Sequence, residues 1–459
     1  MTIAARNPTT AGGDLFGHPR GLAYLFATEM WERFSYYGMR ALLTLYMVKY
    51  LLLPDRIGQV WGEPALRGAL ETLFGPLGVQ PFASQIYGLY TSLVYFTPIL
   101  GGLIADRVLG QRRTVIIGAA LMAIGHFMMA SERLFLLALL MLVLGNGAFK
   151  PNISTQVGAL YPPGDPRRDR AFSIFYVGIN VGAFFSPLVC GTLAVAFGWH
   201  YGFAAAGIGM LIGLAIYLKA RSVLPPDEFE RQQAQPRHPL TQDERRGLFG
   251  LAILFVPVTL FWATYEQQGN TIALWAEDYT VRSFDLGFWR GEVPAELFQS
   301  INPFLIFAFT PFIVALWSRQ AQRGSEPSTV NKMAFGCLGI ALANLLMVAA
   351  AAGSAAQGNA AVSATWLLGY FVIVTLGELY LSPTGLSLVT KVAPARYLSM
   401  TMGVWLATSF LGNFIAGWLG SFWSGMEKRD FFLMIAAIAA AAAAVIFACN
   451  RPLRSALKD

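Results

Sequence analysis

Twelve stretches of mostly apolar residues run through this chain, at 21–52, 82–106, 113–131, 133–160, 171–197, 200–220, 248–276, 298–318, 331–352, 362–392, 398–424 and 430–449. Each is close to or above the roughly 20 residues that carry a helix across a bilayer core. Inside hydrocarbon every backbone amide must find its partner within the protein, so segments of this length fold as helices. The chain is 13% charged, about half the usual share of a soluble domain. We therefore expect an all-α polytopic membrane protein with twelve transmembrane helices and little length left for a soluble domain.

Charge placement sets the expected orientation. With both termini inside, the inner loops and tails hold 22 of the 33 Lys and Arg and the outer loops hold seven. That bias predicts an even number of spans and cytoplasmic N- and C-termini. It also accounts for the net charge of +7 without a nucleic-acid partner. The first 20 residues are polar and lack the apolar core of a signal peptide, so the first span is expected to act as the insertion signal. Cys190, Cys337 and Cys449 fall in apolar stretches with no metal-ligand spacing, so neither a metal site nor a disulfide framework is expected.

The longest hydrophilic interval, Arg221 to Gly247, contains Pro225, Pro226, Pro236 and Pro239 and lies between the sixth and seventh stretches. It divides the chain into an N-terminal six-helix bundle (1–220), a cytoplasmic linker (221–247) and a C-terminal six-helix bundle (248–459). Two bundles of this kind are the usual construction of carriers that rock about a midplane site. After the second stretch comes Gly101-Gly102-Leu103-Ile104-Ala105-Asp106-Arg107-Val108-Leu109-Gly110-Gln111-Arg112-Arg113. Its glycines allow close helix contact, and its charges can tie the inner ends of neighbouring helices together. This segment resembles the loop motif of the major facilitator superfamily.

Several charges stand where a bilayer would exclude them. The first stretch includes Glu29, Glu32, Arg33 and Arg40, with Tyr36 and Tyr37. At 100° per residue all six fall on one face of about 140°. A charge at a helix centre costs about 2.5–3.5 kcal/mol on insertion scales, so this face should line a wet cavity and pair internally. A buried ion-pair network without transport chemistry is the alternative. Lys150, Glu266 and Glu378 each stand isolated in later apolar stretches, with Pro151 and Pro383 close to two of them. Each proline removes a helix hydrogen bond, which lets the helix bend and exposes a carbonyl beside the charge. Snorkelling to the interface is the competing reading for Lys150 and Glu378.

These residues also carry a resemblance. Glu29-x-x-Glu32-Arg33-Phe34 with Tyr36-Tyr37-Gly38, and Phe172-Ser173-Ile174-Phe175-Tyr176-Val177-Gly178-Ile179-Asn180-Val181-Gly182, look like signatures of the proton-dependent oligopeptide transporter family. Gly147-x-Phe149-Lys150-Pro151-Asn152, Trp262-x-x-x-Glu266-Gln267, Gln299-x-x-Asn302-Pro303 and Gly377-Glu378-x-x-x-Ser382-Pro383 are similar to further family segments. The resemblance implies a major facilitator fold and proton-coupled import of di- and tripeptides across a bacterial inner membrane, by a functional monomer without a cofactor. It implies that Arg33 and Lys150 receive the peptide carboxylate and that Glu378 receives the amino terminus, helped by Asn180 and Asn302. Tyr37, Tyr95, Tyr176, Trp262, Ser382 and Trp405 would complete the substrate-binding set. Glu29, Glu32, Arg33 and Glu266 would couple the proton, and Arg40 with Glu266 would form a gate salt bridge.

Two departures from the family pattern matter. The interval 221–247 is too short and polar for the two additional helices of several bacterial members, and Tyr87-Gly88 stands where animal members carry a histidine in the second span. None of His18, His126, His200 and His238 lies near the expected cavity, so proton handling falls to carboxylates. The same fold with another cargo, such as nitrate, a peptide-like drug or a metabolite, remains the alternative. An enzyme is not expected, because the chain lacks Gly-x-Ser-x-Gly, His-Glu-x-x-His and any histidine cluster.

Overall fold

The computed structural model describes residues 14–15, 17–162, 165, 167–224, 241–285, 290–393 and 398–450. Pro225, Pro226, Pro236, Pro239 and His238 of the linker, the first 13 residues and the last nine lie outside the described residues. So do Arg6, Arg231, Arg237, Arg396, Arg451, Arg454 and Lys458 of the inner charges.

Twelve helices of 18 residues or more lie among the described residues: α1 (Arg20–Tyr46), α3 (Val79–Ile104), α4 (Gln111–Met128), α5 (Phe135–Ala159), α6 (Arg167–Phe197), α7 (Trp199–Ala220), α8 (Gln242–Tyr265), α10 (Ile301–Gln322), α11 (Thr329–Ala356), α12 (Ala364–Val392), α13 (Leu398–Gly420) and α14 (Lys428–Ala448). Two short ones, α2 (Glu63–Phe74) and α9 (Thr271–Asp278), flank spans. Ten of the long helices are apolar enough to cross a membrane by composition alone. The other two are α1, which carries the charged face, and α4, which opens on Arg112 and Arg113. Apolar side chains such as Val195, Phe307 and Phe312 are exposed, as a surface solvated by lipid requires.

Local sequence sets the helix starts. Thr241 accepts from the Glu244 amide while the Glu244 carboxylate accepts from the Thr241 amide, a reciprocal capping box that opens α8. Ser328 caps α11 and Ser363 caps α12 by accepting amide protons that the first turn leaves unpaired. The three pairs of short strands each have two or three residues per strand and lie outside the helices.

The chain divides into two compact units, Met1–Leu42 with Gln59–Trp61 and Phe96–Gln232, and Leu43–Gly58 with Gly62–Tyr95 and Gln233–Asp459. In the first unit, backbone approach is set by missing side chains. A Cβ at Gly101 would stand 2.0 Å from the Gly147 carbonyl oxygen, so α3 and α5 are in direct backbone contact. Its neighbour Gly102 meets nothing within 4 Å, so only one glycine of the pair has the packing role expected of both. Arg112 donates to the Leu224 carbonyl, which ties the start of α4 to the chain just beyond α7. Cys190 and Cys337 are buried in helix packing, while Cys449 lies just past the end of α14.

The second unit holds a difference from the sequence expectation. Hydropathy stays high through 248–276, which predicts one continuous helix. Instead α8 stops at Tyr265, a single tighter turn covers Glu266–Gly269, and α9 resumes at Thr271. A broken helix in a membrane protein needs other donors for the carbonyls that the break frees. Side chains supply them: Thr44 donates to the Gly269 carbonyl at 2.7 Å and Gln299 to that of Gln268 at 2.7 Å. Gln267 reaches across to the Ala416 carbonyl at 2.9 Å, which fixes the turn against α13.

Candidate functional site

In the first unit the charged face of α1 is buried. Glu29, Glu32 and Arg33 expose 2%, 0% and 3% of their surfaces, so they form a cluster inside the protein rather than a lipid-facing stripe. Arg33 Nε lies 3.2 Å from Glu29 Oε1 and also donates to Glu32 Oε2. Glu32 Oε1 accepts from Asn146 Nδ2 of α5 at 3.1 Å, one helical turn before Lys150. Among the described residues Arg33 Nη2 and Glu29 Oε2 are buried without a hydrogen-bond partner, so the cluster retains a guanidinium NH2 and a carboxylate oxygen for an incoming group. Two carboxylates and one guanidinium carry one net negative charge, which a single proton neutralises.

The placement of this cluster comes from α6. A Cβ at Gly182 would stand 2.2 Å from the Met30 carbonyl oxygen and 3.0 Å from Arg33 Cβ. At Gly178 it would meet the Phe26 ring at 2.9 Å. Both glycines belong to the segment from Phe172 to Gly182, and their packing role is to let α6 seat directly on the charged turn of α1. On the same helix Tyr176 is half exposed, and Asn180 donates to the Tyr176 carbonyl at 3.0 Å, within its own helix. Tyr37 packs edge-on against Tyr36, and the Arg40 guanidinium lies 6.0 Å from the Tyr37 ring centre.

In the second unit a separate polar cluster forms around Glu378 of α12. Tyr265, the last residue of α8, donates its hydroxyl to Glu378 Oε2 at 2.6 Å. Asn302, in the first turn of α10, donates to the same oxygen at 3.0 Å and to Thr375 Oγ1 at 2.9 Å. Three helices thus converge on one carboxylate. Trp262 packs edge-on against Tyr265 with ring centres 5.5 Å apart. Trp405 borders an apolar cavity of about 410 Å³ with Leu251 and Phe255. Glu266 is buried within the turn that breaks the seventh span, while Tyr95 on α3 and Ser382 on α12 are half-buried.

The structure therefore brings together Glu29, Glu32 and Arg33 in one unit and Asn302 with Glu378 in the other. Asn146, Tyr265 and Thr375 join them without having been singled out from the sequence. Asn146 carried a readable signal: a polar residue between two glycines, four positions before Lys150 and so on the same helix face. Tyr265 and Thr375 carried none, since aromatic and hydroxyl residues are unremarkable in apolar helices. Among the described residues no group of three or more His, Cys, Asp or Glu is arranged to hold a metal ion.

The sequence profile of the POT family matches residues 112–232 and 232–440. The two matched stretches meet at residue 232. A peptide transporter of Yersinia enterocolitica is 34% identical over 96% of this chain and 94% of its own length. A di-/tripeptide transporter of Lactococcus lactis is 32% identical over 97% of both. Both alignments run to 510 positions against a chain of 459, so these relatives carry residues within the matched range that this chain lacks. Among solved structures, a peptide transporter in complex with alafosfalin superposes with a TM-score of 0.84 at 31% identity, covering 98% of both chains. A POT family transporter in complex with 5-aminolevulinic acid gives 0.81 at 29% identity, covering 96% of this chain and 98% of that one. The all-α major facilitator fold expected from the sequence is the fold observed, and the chain is a membrane protein that belongs to the POT family.

Proposed function

We propose that this chain is a proton-coupled symporter that imports di- and tripeptides by alternating access. The observation that carries the reading is the buried triad of Glu29, Glu32 and Arg33. Burying these groups is costly unless they pair closely, and two acids that share one guanidinium are placed to couple their protonation to an incoming carboxylate that competes for it. A free peptide is a zwitterion, and the chain offers it both partners. Arg33 and Lys150 receive the carboxylate, and Glu378, held by Asn302, receives the amino terminus. Asn180 assists, and Tyr37, Tyr95, Tyr176, Trp262, Ser382 and Trp405 accommodate varied side chains through apolar surface and few obligatory hydrogen bonds.

Competition of the peptide carboxylate for Arg33 changes the charge that Glu32 feels, so Glu32 releases its proton, or the reverse, as the site closes. Glu266, in the broken turn of the seventh span, shares this task and pairs with Arg40 in a gate that opens on protonation. The protein works as a monomer in a bacterial inner membrane with both termini in the cytoplasm, and needs no cofactor beyond the proton. A second reading is favoured by the relative solved with 5-aminolevulinic acid. That ligand also joins an amino group to a carboxyl group, so a peptide-like metabolite or drug could use the same two partners.

The test is uptake by purified protein in liposomes under an inward proton gradient. Labelled dialanine accumulates, and a protonophore abolishes the accumulation. Failure to accumulate dialanine, with accumulation of nitrate instead, overturns the proposal.

A further inference from the structure

Glu378 is gripped by a hydroxyl that a bare anionic subsite would not require. The 2.6 Å separation between the Tyr265 oxygen and Glu378 Oε2 is that of an O–H donor on a carboxylate, among the stronger hydrogen bonds in proteins. Asn302 meets the same oxygen from α10, and its second amide proton is committed to Thr375. The Tyr265 ring is itself fixed: it stacks on Phe261 at 5.7 Å, with the planes 15° apart, and stands edge-on to Trp262. Phe261 is fully buried, so the phenol cannot swing aside without opening the core of the unit. A glutamate side chain has three rotatable bonds, and leaving it free costs a ligand the entropy of ordering it. Two donors from two helices remove most of that cost before any ligand arrives. What they present is an oriented anion, matched to a primary ammonium with its charge and three donors and poorly matched to an acylated nitrogen.

We propose that Tyr265 is a positioning residue for the Glu378 subsite and sets how strongly the protein prefers a ligand with a free primary amine over the same ligand with that amine blocked. The inference rests on Glu378 as the partner of the peptide amino terminus.

The test compares binding of dialanine and amino-acetylated dialanine to purified parent protein, Tyr265→Phe, Glu378→Gln and the double variant, with melting temperature as the check on folding. Tyr265→Phe keeps the ring and removes only the hydroxyl. It weakens dialanine about tenfold, the usual cost of losing a hydrogen bond to a charged group, and the acetylated peptide less than twofold. In the Glu378→Gln background the same change costs dialanine less than twofold, because the anion it orients is gone. Equal losses for both peptides, or losses that simply add in the double variant, overturn the positioning role while leaving peptide transport intact. A parent protein that binds neither peptide overturns the proposed function and this inference with it.

Discussion

Gly182→Ala tests whether the seat of α6 on α1 places the charged triad. The added methyl would stand 2.2 Å from the Met30 carbonyl oxygen, 2.9 Å from the Phe34 nitrogen and 3.0 Å from Arg33 Cβ. Ordinary C···O contacts lie at about 3.3–3.6 Å, so α6 must withdraw by roughly 1 Å at this level. Two of the three atoms are backbone and cannot rotate away. Overpacking of this kind costs about 1–3 kcal/mol. The cost to function is larger, because the displaced turn carries Arg33, and ligand-positioning groups tolerate errors of about 0.5 Å. Gly353→Ala serves as the control, since a Cβ there meets nothing within 4 Å and alanine favours the helix. We expect Gly182→Ala to melt at a lower temperature and to lose at least about tenfold in initial dialanine uptake, while Gly353→Ala matches the parent in both. A Gly182→Ala protein with unaltered melting and uptake refutes the argument that this contact positions the triad.

Three further outcomes follow from the geometry. Lys150→Ala abolishes proton-driven dialanine accumulation in liposomes, and unchanged accumulation removes Lys150 from the mechanism. Glu32→Gln keeps counterflow exchange, which needs substrate movement only, but loses accumulation under a proton gradient. Normal accumulation would show that titration of Glu32 is dispensable. Asn146→Leu removes the donor at 3.1 Å from a fully buried Glu32 oxygen and lowers unfolding stability by about 1.5–3 kcal/mol. Chemical denaturation in detergent reads this change, and a loss below about 0.5 kcal/mol would mean that Glu32 finds another partner.

Much of this protein was set by local rules that leave their mark in the sequence. Span length is a bilayer dimension, so apolar stretches translate directly into helices, and the starts of α8, α11 and α12 follow from Thr241, Ser328 and Ser363. The charged turn of α1 was legible for the same reason: Glu29, Glu32 and Arg33 are helical neighbours, and a helix brings its own residues together at fixed spacing. The break after Tyr265 was not legible. Hydropathy measures the cost of leaving water, whereas this break depends on Thr44 and Gln299, which donate to its freed carbonyls, and on Ala416, which holds the Gln267 side chain, all distant in the chain. The Glu378 cluster is the clearest case of what only tertiary structure decided. Tyr265, Asn302 and Thr375 come from three helices, and no periodicity within one helix can say that two others will turn the same polar atoms toward it. The sequence by itself determined which charges the membrane must tolerate; the packing of separate helices decided which groups hold them.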